Sequence, residues 1–208
     1  MQYPTFSLEQ QLTNQGYSFI AGLDEVGRGA WAGPVVAACV IFPAELVTQS
    51  TDWLGRIRDS KTLSAQQRSD LNQFITDHTI WGIGESTHQE IDEWGISQAT
   101  KEAMGRALTK LNIAPDCLLI DGREGLNSKI KQQTIIDGDS LITSIAAASI
   151  IAKVYRDQLM TQLDDQYPGY FFRDHVGYGT KSHQLALAEQ GISPIHRRSY
   201  RPVKAYMA

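Results

Sequence analysis

Asp24 and Glu25 are consecutive carboxylates directly after the apolar run SFIAGL, and Gly27 and Gly29 flank Arg28 just beyond them. Successive side chains on a regular strand face opposite ways, so both acids serve one site only if the strand breaks, and the glycines are expected to supply that break. Asp121 closes another apolar run in CLLIDGR, and Asp139 stands in DGDS ahead of a long apolar stretch. Taken singly, each acid has an ordinary explanation: a hairpin turn with solvated acids, a turn aspartate bonding its own backbone, a helix N-cap. Taken together, the four carboxylates fall at element ends of an α/β sheet, the edge where such folds carry their sites. Hard oxygen donors without neighbouring Cys or His select Mg²⁺ or Mn²⁺ over zinc. A nucleotide-binding glycine loop is excluded, because no Gly-Lys-Ser/Thr follows and GRGAWAGPVV runs into Pro34 and a strand rather than opening a helix.

The charge distribution points the same way. The net charge of the 208 residues is −4, yet residues 1–172 carry 13 Lys and Arg against 21 Asp and Glu, while residues 173–208 carry 6 against 2. An acidic body can hold divalent cations and a basic C-terminal segment can hold phosphates, which suggests a metal-dependent enzyme acting on a polyanion. Scattered solvated charge is the plainer alternative.

The elements that must position these groups are legible from periodicity. Residues 18–23 and 34–42 read as two neighbouring strands, 79–86 as a third, CLLI at 117–120 as a fourth and QTIID at 133–137 as a fifth. Ser64 with Gln67 forms a capping-box pattern ahead of a helix ending near His78. Residues 97–111 place Ala103, Met104, Ala107, Leu108 and Leu111 on one helical face. A long helix, apolar in its front half, is expected from Ser140, and a short one over 182–190 is stopped by Gly191. The order predicts a mixed five-stranded α/β sheet flanked by helices, with a catalytic body over 1–165 and a helical, basic extension over 166–208. Composition is that of a globular chain, with 42% hydrophobic and 20% charged residues. No apolar run reaches the roughly 18 residues of a membrane span, and Cys39 and Cys117 lie in strand-like runs, so a soluble cytoplasmic protein with reduced core cysteines is expected.

The strings DEVGRG (24–29), DSK (59–61), LLIDG (118–122), GDS (138–140), AAASIIAKVYRD (146–157), HVGYGT (175–180) and HRRSYRPV (196–203) closely resemble ribonuclease HII of the bacterial type. The resemblance covers about residues 18–204, with the motifs in the family's order. It implies an RNase H-like sheet with a C-terminal helical extension. It also implies hydrolysis of RNA within RNA–DNA hybrids, including cleavage 5′ of a single ribonucleotide in duplex DNA, by two divalent ions, Mn²⁺ or Mg²⁺.

By that resemblance Asp24, Glu25, Asp121 and Asp139 are the metal-binding acids. Gly27, Arg28 and Gly29 form the segment whose backbone meets the ribose 2′-hydroxyl, and Tyr178 packs on the sugar at the RNA-to-DNA step. Ser60 and Lys61 match a phosphate-contacting segment, and Lys153 a basic residue near the site. Val176 stands where Lys is common, which is expected to weaken a backbone contact, and Arg123 stands where Asn is common. A monomer without membrane association is expected.

Elementary chemistry agrees: phosphodiester cleavage needs an in-line nucleophile and charge neutralisation, which two ions about 4 Å apart supply together. Glycines allow close backbone approach to a 2′-hydroxyl. Arg197, Arg198 and Arg201 are expected to track phosphates. His175, His183 and His196 read as phosphate-proximal or structural. Another nuclease or phosphotransferase on the same fold would keep the acids without preference for a ribose junction. A non-catalytic hybrid binder would not need all four.

Overall fold

The computed structural model describes residues 3–48 and 51–207. Five strands, β1 (Ile20–Val26), β2 (Val35–Ile41), β3 (Ile80–Ser86), β4 (Cys117–Asp121) and β5 (Lys131–Ile135), form one sheet in the order β3-β2-β1-β4-β5. β1–β2 and β2–β3 pair antiparallel, whereas β1–β4 and β4–β5 pair parallel, so the sheet is mixed as expected. The fifth strand begins two residues earlier than its predicted span and ends at Ile135, with Asp137 turning the chain in the left-handed region at φ 55°.

The helices are α1 (Ser7–Asn14), α2 (Ala44–Thr48), α3 (Ala65–His78), α4 (His88–Trp94), α5 (Ile96–Thr109), α6 (Thr143–Gln166), α7 (Phe172–His175), α8 (Lys181–Gln190) and α9 (Arg201–Lys204). The Ser64–Gln67 capping box forms in full, and Thr87–Glu90 makes a second one at the start of α4. β2 is buried on both faces, and its side chains divide by parity. Val36, Ala38 and Val40 pack with Ala147, Ile150 and Ile151 of α6, and Val35, Ala37 and Cys39 with Ala103, Met104 and Ala107 of α5. Each fully buried Val, Ile or Met side chain among these is worth about 1.5–3 kcal/mol. Cys39 and Cys117 are both buried and free.

α6 crosses β1 closely: a Cβ on Gly22 would stand 2.3 Å from the Ser144 carbonyl carbon, so only glycine admits the helix there. The long helix starts at Thr143, not at Ser140. Residues Gly138–Ser140 form a separate 3₁₀ turn, so Asp139 does not cap α6. A residue of α1 takes that role, as Glu9 Oε1 accepts the Ser144 amide at 3.0 Å.

Candidate active site

The strand does not break at the two acids. β1 runs through both in register with β2, Asp24 opposite Ala38 and Glu25 opposite Ala37, whereas its pairing with β4 stops at Leu23. The acids therefore overhang the sheet's edge on opposite faces, and the turn comes after Val26, where Gly27 takes φ +91°. Asp24 lines a cleft of about 330 Å³ on the α6 face together with Ser60, Lys61, Ser149, Lys153 and Tyr178. Glu25 lines that cleft and a second one of about 240 Å³ on the α5 face, shared with Arg28, Lys101, Asp121 and Arg123. The parallel neighbour contributes Asp121 from its last position, and the 3₁₀ turn contributes the buried Asp139.

The four acids repel one another. Burial, reinforced by the charges of Glu25, Asp121 and Asp139, holds the Asp24 carboxyl well above the usual carboxylate range. Burial also raises Glu25, which the Arg28 guanidinium at 3.1 Å offsets, and Asp121, which the Gly138 amide at 2.7 Å offsets. Lys61 Nζ lies 3.5 Å from Asp139; despite partial burial, Asp139, Asp59 and Asp24 push its ammonium above the usual lysine value. As the side chains stand, no three of these groups among the described residues converge on one ion position. Asp24 Oδ1 instead accepts the Glu25 amide at 2.7 Å, and Asp121 Oδ1 the Gly138 amide. The donor set nevertheless fits a divalent cation, which would relieve the repulsion among acidic oxygens.

Two buried arginines hold the Gly27–Gly29 segment from beneath. Arg156 donates to the carbonyls of Pro34, Val176 and Ala32 at 2.9, 2.8 and 3.1 Å, and its guanidinium lies 5.8 Å from the Tyr178 ring centroid. Arg197 donates to the carbonyls of Gly33 and Arg28 at 3.0 and 2.9 Å and to the Tyr200 hydroxyl at 3.0 Å. With the Arg28 carbonyl so engaged, the Arg28 and Gly29 amides find no acceptor among the described residues and remain available as donors. A Cβ on Gly29 would lie 3.8 Å from the Tyr178 ring, so loop and ring border the same space.

Arg197 is thus not a phosphate contact: its side chain is 0% exposed, with Nε and Nη1 donating to main-chain carbonyls. Arg198 is exposed, its backbone fixed by Asp92 at 2.9 Å. Lys153 lines the first cleft while paired with Asp157 at 2.7 Å, and Ser60 is buried with its hydroxyl 2.8 Å from that of Ser149. His175, His183 and His196 are buried among the Tyr170 and Phe172 rings, so none of them is an exposed phosphate contact. Arg156, Lys101 and Ser149 lie outside the residues that sequence reasoning singles out. Ser149, Ala152 and Arg156 share one face of α6 at helical spacing, and a lone Arg on that apolar face was the available signal.

The ribonuclease HII family model matches residues 21–203. A ribonuclease HII of Dehalococcoides mccartyi is 46% identical over 202 residues, covering 97% of this chain and 94% of that one. One of Desulfitobacterium hafniense is 50% identical over 197 residues, covering 94% and 74%. Among solved structures, the ribonuclease H2 of Pyrococcus horikoshii OT3 superposes with a TM-score of 0.76 at 25% identity, covering 90% of this chain and 96% of that one. Bst-RNase HIII in complex with Mn²⁺ shares the fold, with a TM-score of 0.65 at 21% identity, covering 92% and 70%.

Proposed function

The chain belongs to the ribonuclease HII family of metal-dependent endoribonucleases that act on the RNA of RNA–DNA hybrids, and from that premise we propose that it cuts on the 5′ side of single ribonucleotides in duplex DNA, leaving 3′-hydroxyl and 5′-phosphate ends. What supports this reading is one juxtaposition. Asp24, Glu25 and Asp121 line two adjoining clefts that meet at Glu25, Arg28 lines one and Tyr178 the other, a Cβ on Gly29 would touch the Tyr178 ring, and Asp139 stands 3.5 Å from the Lys61 ammonium of the Tyr178 cleft.

Asp24, Glu25, Asp121 and Asp139 would hold two ions, Mg²⁺ or Mn²⁺. When bound, such ions supply charge neutralisation at the phosphorus and lower the pKa of an attacking water. The chain's own groups do the rest. The Arg28 and Gly29 amides would donate to the 2′-hydroxyl, a contact that deoxyribose leaves unmade at a cost of about 1–3 kcal/mol. Tyr178 would pack on the following sugar, while Lys61 and Lys153 would neutralise phosphates in the cleft they line. Residues 166–208 would form the substrate-facing extension that carries Tyr178 and Arg198.

The test is product mapping on a duplex carrying one ribonucleotide, with an all-DNA control. Expected is a single cut 5′ of the ribonucleotide and no cutting of the control. Cleavage 3′ of it, or equal cutting of the control, would overturn the reading. Gly29→Ala is an informative companion, because its methyl fits at ordinary contact distance within the protein yet stands where the ribose must approach.

A further inference from the structure

The two ring nitrogens of His183 and the two of His196 are all committed to hydrogen bonds, and the chain of bonds ends on the main chain of Tyr178. His183 Nδ1 lies 3.0 Å from the Tyr178 carbonyl oxygen, His183 Nε2 lies 2.9 Å from His196 Nε2, and His196 Nδ1 lies 2.9 Å from the Ser193 amide and 2.8 Å from its hydroxyl. Only one arrangement of protons satisfies all of these in neutral rings. A carbonyl accepts, so His183 carries its proton on Nδ1 and its Nε2 accepts. The Ser193 amide donates, so His196 Nδ1 accepts and its proton sits on Nε2, aimed at His183.

We propose that His183 and His196 are positioning residues for Tyr178: a neutral two-imidazole relay, anchored at Ser193, fixes the Tyr178 carbonyl and so sets the ring beside Gly29. The relay's purpose rests on the reading of Tyr178 as the ring that packs on the sugar. The loop has other anchors on its near side, where Arg156 binds the Val176 carbonyl and the Trp31 amide donates to the Gly177 carbonyl at 2.7 Å. At Tyr178 itself the carbonyl accepts the Thr180 amide at 2.8 Å, a local turn that moves with the loop, and the His183 ring, which belongs to α8. The relay is therefore the side-chain bond that ties the Tyr178 carbonyl to α8.

The ring of His183 has little freedom to do otherwise. It stacks on His175 with centroids 4.4 Å apart and planes 12° from parallel, meets Phe172 edge-on at 5.6 Å, and lies 5.7 Å from Trp31. Both relay rings are 0% exposed. An apolar pair of the same size would fill this space, but only a donor pointing in this direction holds the carbonyl.

Two measurements on the full chain test the relay. Imidazole nitrogen chemical shifts at neutral pH should show His183 as the Nδ1–H tautomer and His196 as the Nε2–H tautomer; the reverse assignment overturns the relay. A mutant cycle on duplex carrying one ribonucleotide then tests its purpose. His183→Phe should lower kcat/KM about tenfold to hundredfold, in line with a misplacement of order 1 Å. His183→Gln should recover most of it, because one amide can accept from His196 and donate to the carbonyl. His183→Phe combined with Tyr178→Ala should be no worse than Tyr178→Ala alone. Additive losses, or full activity in His183→Phe with Tyr178→Ala impaired, would overturn the positioning role. Unchanged cleavage by Tyr178→Ala would instead reject the sugar-packing reading and the relay's purpose with it, while the nitrogen shifts still decide whether the relay exists.

Discussion

Arg156 lies directly beneath Gly27: a Cβ placed on the glycine would stand 2.3 Å from the guanidinium Nε. The missing side chain and the buried cation are two halves of one arrangement, since the turn that follows the acids rests on the arginine. Gly27 also holds φ +91°, which L side chains rarely adopt.

Gly27→Ala is therefore expected to lose stability twice over, through the contact and through the backbone, by about 2–4 kcal/mol in all. Arg156→Lys should also destabilise, because one ammonium cannot serve three carbonyls and each buried acceptor left unpaired costs about 1–3 kcal/mol. Urea unfolding measures both. A variant within 0.5 kcal/mol of wild type, roughly the range of a neutral surface change, would contradict this account of the loop.

Cleavage should vanish in EDTA and return with Mg²⁺ or Mn²⁺. Asp24→Asn and Asp121→Asn should each lower turnover by orders of magnitude with circular dichroism unchanged. In EDTA, Asp24→Asn should also melt a few degrees higher than wild type. It removes a buried charge faced by three like charges, and 1 kcal/mol is worth roughly 2–4 °C in a domain of this size. Near-normal turnover in either variant would remove that residue from the ligand set.

The two neighbouring arginines of the tail should behave differently. Arg198→Ala, on the surface, should reduce the slope of log K against log salt by about one while leaving stability within roughly 0.5 kcal/mol. Arg197→Ala should leave the slope and destabilise the protein, because the Gly33 and Arg28 carbonyls lose a buried donor. Filter binding across salt concentrations, paired with thermal melts, separates the two.

Acid should loosen the extension. Burial pushes His183 and His196 down to about 4, with His175 adding to it at His183 and His183, His175 and His88 adding to it at His196, from roughly 6.5 in an unfolded chain. The relay has no nitrogen free for a third proton, so folding excludes protons that the unfolded chain binds. Its contribution is fully present above about pH 6.5 and is lost as pH falls towards 4. Asp24, Glu25 and Asp121 work in the opposite sense, because their raised values favour the folded state on acidification. The comparison with His183→Phe isolates the imidazoles: wild type should lose more unfolding free energy between pH 7 and pH 5 than the variant does. Parallel losses would exclude a neutral relay.

Most elements could be read from local pattern because their causes are local. The Ser64–Gln67 box starts α3 one residue after the cap, the apolar face of 97–111 becomes α5, and the runs at 34–42 and 79–86 become β2 and β3. α4 is equally legible in principle, since Thr87 and Glu90 stand in the capping-box spacing, although the apolar periodicity over 87–94 is too short to mark a helix by itself. The four acids could be placed on one sheet edge because apolar runs and turns show where strands end. The family strings then named their partners.

The sequence by itself determined which groups are available and, through periodicity and caps, which elements carry them. Only the tertiary structure decided where those groups point. Asp24 and Glu25 reach one site because the pairing of β1 with β4 ends at Leu23, just before them, not because β1 breaks. Arg197 and Arg198 are adjacent, yet one is sealed against the carbonyls of Gly33 and Arg28 and the other faces solvent. The start of α6 is capped by Glu9, 135 residues away. In each case the deciding partner is remote in the chain. A buried donor or charge must find an acceptor wherever folding brings one, and local pattern carries no record of that choice.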